Sequence, residues 1–275
     1  MRIQHNIAAL NSYRNLTNNN SAVSKNLEKL SSGYKINRAG DDAAGLAISE
    51  KMRAQITGLE TAQKNANDGI SLVQTAEGAL TEVHSMLNRM VELADQSANG
   101  TYDNLTDRAN LQKEVTSLTA EINRISDGTN FNGINLLNGS LATSGLTLQI
   151  GDTADPFNKL TVTIGNMSAA SLGIADINIG TQFNAASAIS HIKDAINLVS
   201  TTRGNLGATQ NRLEHTINNL SVTSENMTAA ESRIRDVDMA KEMMAYTKNN
   251  ILVQASQAML AQANQIPQGV LQLLQ

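Results

Sequence analysis

Every seventh residue from Met52 is apolar: Leu59, Ala66, Val73, Leu80, Leu87 and Ala94 follow, a row that holds its phase for six heptads. Partial flanking rows, Ile56 with Ile70 and Val83 with Met90, fill neighbouring positions. A second row runs from Ile192 through Val199, Leu206, Leu213, Leu220, Met227 and Ile234, supported by Ile189, Ile196 and Ile217. A strict seven-residue repeat keeps one helix face against a partner over many turns, as in coiled coils. The rows predict helices over 46–98 and 185–234, each on the order of 75 Å long at 1.5 Å per residue.

Between them, Leu111, Val115, Leu118, Ile122 and Ile125 alternate steps of four and three and predict a shorter helix over 104–126. DGTNFNGINLLNGS (127–140) reads as loop, because Asn, Gly and Asp favour turns. GLTLQI (145–150) and KLTVTI (159–164) alternate apolar and polar positions across a Gly/Asp/Pro connection, a β-hairpin pattern. Residues 165–184 are weakly patterned and read as loop.

The ends repeat the helical theme with faces of Asn, Gln and Ser. Ala9, Leu16, Val23 and Leu30 lie seven apart, with Ile3, Ile7, Leu10 and Leu27 beside them. Leu252, Met259, Ile266 and Leu273 do the same, with Ala263 and Val270 on that side. Such stripes are stable only against another helix. The two ends either pair within one monomer or await other copies. The expected fold is mainly α: a long antiparallel coiled-coil-like rod with a small β-hairpin over 41–235, plus paired terminal helices from 1–40 and 236–275.

Composition agrees with that architecture. The 275 residues include no Cys or Trp, 3 Phe, 4 Tyr and 2 Pro, yet 41% are hydrophobic. The core must rest on Leu, Ile, Val, Met and Ala, several of them strong helix formers. A net charge of −4 gives no electrostatic case for nucleic acid or an anionic membrane. Absence of Cys excludes thiol catalysis, thiolate metal sites and disulfides. No apolar run is long enough to span a membrane, and the N-terminus lacks the pattern of a cleavable secretory signal. His5, His84, His191 and His215 form no metal-ligand pair, and no nucleotide-binding loop or nucleophile elbow occurs, so no catalytic, cofactor or metal site is expected.

LSSGYKINRAGDDAAGLAISE (30–50) gathers Gly33, Gly40, Gly45, Arg38, Asp41 and Asp42. Paired carboxylates can do acid–base work, but only with a pocket to shift a pKa. The simpler reading is a joint. Asp41 or Asp42 caps the following helix, Arg38 pairs with one of them or with a neighbour, and the glycines bend the chain.

MRIQHNIAALNSYRNL, LSSGYKINRAGDDAAGLAISEKMRAQITGLE, FNGINLLNG, LGATQNRLEHTINNLSVTSENMTAAESRIRDVDMAKEM and NNILVQASQAMLAQANQIPQGVLQLLQ occur in order, and with them the chain resembles a bacterial flagellin. The resemblance covers most of 1–140 and 200–275. It implies a secreted filament subunit: terminal helices forming an inner tube, long helices a surrounding rod, and a very short variable region. It also implies export without a cleaved signal, and partners in an export chaperone, a filament cap and hook-junction proteins. NRMVELADQSANG (88–100) resembles the segment read by host Toll-like receptor 5, with matching positions Arg89, Leu93 and Glu114; Val91 stands where the family usually has Arg. The closing VLQLLQ resembles the tail read by a cytosolic inflammasome sensor, with Gln275 where many relatives have Arg. A hook–filament junction protein, a monomeric coiled-coil module and an enzyme are the competing readings.

Overall fold

The computed structural model describes residues 6–273, with side chains through 265. The chain forms two compact units, one gathering residues through Ile56 with those from Glu225 onward, the other Thr57–Ser224. Its elements are helices α1 (Ile7–Ser32), α2 (Ala43–Ala98), α3 (Asp107–Gly128), α4 (Gln182–Arg235) and α5 (Met239–Leu273), with strands β1 (Asn130–Phe131), β2 (Ile134–Asn135), β3 (Leu146–Gln149) and β4 (Lys159–Val162).

In Thr57–Ser224, α2 buries two heptad rows. One is Leu59, Ala66, Val73, Leu80, Leu87 and Ala94; the other is Ala62, Gly69, Ala76, Val83, Met90 and Ser97. The second row begins with residues too small to stand out as an apolar pattern. From α4 come Ala185, Ile192, Val199, Leu206, Leu213 and Leu220. Glu77 pairs with Arg203 at 3.5 Å, and Gly100 lies beside Gln182, so within this unit the two helices run antiparallel. Each fully buried Leu, Ile or Val contributes roughly 1.5–3 kcal/mol relative to exposure.

Helix α3 begins at Asp107, three residues later than the pattern predicts. The Asp103 carboxylate accepts the N–H groups of Leu105 and Thr106 and the Thr106 hydroxyl, each at 3.1 Å, and so holds 103–106 as a turn. The Thr106 hydroxyl foremost, then these N–H groups, keep that carboxylate below its ordinary pKa. Residues 127–140 hold a hairpin where the sequence suggests loop. Asn132 and Gly133 have φ of 50° and 80°, the paired positive angles of a type I′ turn, so β1 and β2 pair antiparallel through a two-residue connection. Just beyond, Leu136 and Leu137 enter the core. The second hairpin, β3 with β4, pairs Leu146 with Val162 through Gln149 with Lys159. It docks on α2, where Leu148 occupies a notch left by Gly69 and Asn65 Nδ2 donates to the Gln149 carbonyl at 3.0 Å.

The segment before α4 is irregular, as expected, yet it is packed: Ile164, Met167, Ala169, Leu172, Ile174 and Ile179 are buried. Buried irregular backbone needs side-chain partners for its polar groups. Asn123 Oδ1 accepts from Ala169 N–H at 2.9 Å. Gln112 clamps the chain from both sides, accepting from Ile179 N–H at 2.6 Å and donating to the Ile177 carbonyl at 3.0 Å.

In the other unit α1 and α5 pack antiparallel through a small, polar seam. Asn6 Nδ2 donates to the Ala263 carbonyl at 2.7 Å, and Asn19 Nδ2 to Ser256 Oγ at 3.1 Å. Ser256 and Ala263, seven apart, are the buried positions of α5 among the described residues, and α1 buries none. The large side chains are left outside: Ile7, Leu10 (59% exposed) and Leu27 on α1, Met244, Ile251 (59%), Leu252 and Met259 on α5. Leu16, Val23 and Leu30 are half-buried. Of the remaining stripe positions, Ile3 lies outside the described residues, and the side chains of Ile266, Val270 and Leu273 lie outside those described.

Candidate functional site

The joint of residues 30–50 is built from backbone bonds closed by side chains. Helix α1 stops because Gly33 takes the left-handed conformation, φ 77° and ψ 1°, and its N–H returns to the Lys29 carbonyl. The chain beyond is tied to the segment between α4 and α5. Tyr34 bridges Asp236, Lys35 N–H donates to the Arg235 carbonyl at 2.6 Å, and Val237 N–H donates to the Gly33 carbonyl at 3.0 Å. Arg235 lies over the Tyr34 ring, 4.7 Å from its centre, and its Nη1 reaches Glu50 at 2.9 Å. This cation–π contact and ion pair fasten the two connectors.

Asp41 and Asp42 both act as acceptors for backbone N–H groups. Asp41 Oδ2 accepts from Arg38 at 3.1 Å and Asn37 at 3.2 Å. These bonds, Arg38 first, hold its carboxyl below the ordinary 3.8. Asp42 Oδ1 accepts from Gly45 N–H at 2.9 Å and caps α2. Gly45 must lack a side chain, since a Cβ there would lie 2.5 Å from Asp42 Oδ2 and 2.8 Å from the buried Ile36. Gly40 and Gly45 differ from the expectation that all three glycines bend the chain: neither has a positive φ, Gly45 lies within α2, and Gly40 has open space around it. The Arg38 guanidinium goes to Glu28 at 2.8 Å, and only its backbone meets Asp41: its N–H donates to the Asp41 carboxylate and its carbonyl accepts from the Asp41 N–H at 2.9 Å.

On the surface of α2 and α3, Arg89 forks between Glu114 (2.8 Å) and Glu92 (2.9 Å). The Glu114 hydrogen bond, then that to Glu92, raises the Arg89 pKa, so its charge is fixed at any physiological pH. Leu93 does not join them outside: it is 0% exposed and belongs to the core. Val91 is half-buried and packs against that core.

Sequence reasoning missed Arg108, which is 4% exposed. Its Nε donates to the Ser97 carbonyl at 2.7 Å, Nη2 to the Asn99 carbonyl at 2.8 Å, and Nη1 to the Tyr102 carbonyl (2.6 Å) and Asn104 Oδ1 (2.5 Å). It is a cation seated on the Ser97 carbonyl at the C-terminus of α2, where the helix dipole favours positive charge, and on the connector that follows. Beside it Ser97 Oγ donates to the Ile179 carbonyl. A signal was present: Arg108 stands seven residues before Val115 and fourteen before Ile122, inside the buried row of α3.

Among the described residues no group of three or more His, Asp or Glu is placed to hold a metal ion, and no helix is long and apolar enough to cross a membrane.

The family model for the bacterial flagellin N-terminal helical region matches residues 3–142, and that for the C-terminal helical region matches 189–274. The chain is 57% identical over 305 aligned residues to a flagellin of Bacillus subtilis strain 168, with both chains covered in full. It is 50% identical over 288 residues to the flagellar filament 33 kDa core protein of Treponema phagedenis, again covering both. A crystal structure of Bacillus cereus flagellin superposes with a TM-score of 0.50 at 34% identity, covering 61% of this chain and 94% of that one. The helices that carry the joint and the terminal stripes lie inside the matched regions, and the chain belongs to the bacterial flagellins: it is a structural subunit of the flagellar filament, not an enzyme.

Proposed function

We propose that this subunit is exported to the cell exterior and polymerises head to tail through the outward faces of α1 and α5. One observation carries this reading. The hydrogen bonds of the seam come from Asn6 and Asn19, its buried positions on the described part of α5 are Ser256 and Ala263, and Leu16, Val23 and Leu30 are only half-buried, while Leu10, Ile251 and Met259 remain exposed. Helices that pair yet keep large apolar side chains outside have surface to offer further copies. Contacts related by a rotation that does not close extend into an open helical filament. Export chaperone, filament cap and hook-junction proteins are the further partners proposed, from the family resemblance. Deleting 236–275 is expected to abolish filaments in electron micrographs while Thr57–Ser224 keeps its helical circular dichroism; normal filaments would refute the assignment.

The joint then sets the geometry of assembly. Asp42→Ala removes the α2 cap, a loss of about 1 kcal/mol. It is expected to leave the Thr57–Ser224 fold intact and to weaken filaments or change their curvature. Wild-type curvature under the microscope would count against it.

A second reading concerns recognition by Toll-like receptor 5, and the exposed Arg89–Glu92–Glu114 cluster favours it. A fixed guanidinium between two carboxylates is a rigid charged patch suited to a protein partner. Leu93 supports it from inside by packing α2. Arg89→Ala is expected to reduce signalling in receptor reporter cells without altering the melting curve. The closing VLQLLQ, proposed for the inflammasome sensor, has its side chains outside those described, including Gln275, which departs from the Arg of many relatives.

A further inference from the structure

We infer that the methionines of α5 form an oxidation site that controls whether the subunit can assemble, with hydrogen peroxide or a chemically similar two-electron oxidant as the reagent. The inference rests on the reading that α5 becomes buried between copies. The chain has 10 methionines. Met90 and Met167 are sealed in the core, and Met86 packs against it. Among the described residues the strongly exposed ones all lie on α5: Met239, Met243, Met244 and Met259, between 49% and 68% exposed. The exposed large aliphatic residues of α1 are Ile7, Leu10 and Leu27, which peroxide does not attack.

Thioether oxidation follows exposure. The sulfur lone pair attacks one peroxide oxygen, an S–O bond forms and the O–O bond breaks. Sulfur gives up two electrons to the peroxide, and the proton on the transferred oxygen passes to the departing hydroxide, which leaves as water. The product sulfoxide is a polar acceptor on a side chain that was apolar. Met244 lies seven residues from Ile251 and Met259 seven from Leu252, so each sulfoxide shares a helix face with an exposed aliphatic neighbour. Burying that acceptor without a donor opposes assembly. The monomer is spared, because the residues of α5 that are buried or hydrogen-bonded against α1 include Ser256 and Ala263, whereas these four methionines are exposed.

The test treats full-length monomer with hydrogen peroxide until mass spectrometry finds the α5 peptides as sulfoxides, removes the peroxide with catalase, and measures the critical concentration by pelleting after salt-induced assembly. The expected result is a rise of at least about tenfold with unchanged helical circular dichroism, reversed by methionine sulfoxide reductase. A variant carrying M239L, M243L, M244L and M259L is expected to assemble equally well with and without peroxide. An oxidised wild type assembling within about twofold of the untreated protein overturns the proposal. So does a leucine variant that loses assembly on treatment as wild type does, or a failure of the reductase to restore it. A separate arm oxidises preformed filaments: sulfoxide forming there as fast as in monomer contradicts burial of α5 itself, whatever the assembly arm gives.

Discussion

Replacing Arg108 by methionine is expected to cost the Thr57–Ser224 unit about 3 kcal/mol, the largest loss for any single charged side chain described. The substitution keeps most of the buried volume and removes four charge-assisted hydrogen bonds, leaving the Ser97, Asn99 and Tyr102 carbonyls short of a donor. Ser97 lies in the last turn of α2, and Asn99 and Tyr102 in the connector beyond it, where no following helical turn supplies an N–H. For a unit of this size the loss lowers the thermal midpoint by roughly 6–12 °C. Arg108→Lys retains the charge but not the fork and recovers only part of it. The comparison is Arg89→Met, which removes exposed ion pairs and is expected to cost under about 1 kcal/mol. Equal melting of the two variants would show that Arg108 does not hold the α2–α3 turn.

Placing glutamate at Leu10 and Ile251 together is expected to abolish filaments without unfolding the monomer. Both positions are 59% exposed, so monomer stability should move by no more than about 0.5 kcal/mol. In the filament each carboxylate would have to leave water without a partner, at a cost of several kcal/mol. Even about 2.8 kcal/mol in all raises the critical concentration about a hundredfold. Sedimentation measures it, and pelleting at the wild-type concentration would place the assembly surface elsewhere.

The long helices were legible in the sequence because a seven-residue apolar repeat has few alternative explanations. Leu80, Leu87, Leu206 and Leu213 all sit where their spacing puts them. What escaped was information carried by small or charged residues. The row through Ala62, Gly69 and Ala76 packs as closely as its neighbour but presents little apolar bulk to read. Asn132–Gly133 is a strong hairpin signal, obscured by the surrounding asparagines and glycines that suggested a plain loop. The segment from Ile164 to Ile179 has no period because its backbone is irregular; it is buried by partners such as Gln112 and Asn123 that are distant in sequence. At the joint, residue types announced a helix cap, which Asp42 is. They did not announce that Arg38 would turn to Glu28, since that pairing depends on how α1 and the connector fold together.

The asparagine seam also bears on uniqueness. Two helices with heptad stripes can slide past one another by a whole repeat at little cost in apolar contact. A polar group at a seam position penalises that slip, because its hydrogen-bond partner exists at one offset only. Asn19, bonded to the Ser256 hydroxyl, thus acts as a vernier, selecting one alignment of α1 on α5. A polymer repeats whatever alignment its subunit carries, so an ambiguity tolerable in a monomer would become disorder along the whole lattice. By giving up apolar burial within the monomer, the seam makes every copy present the same outer surface.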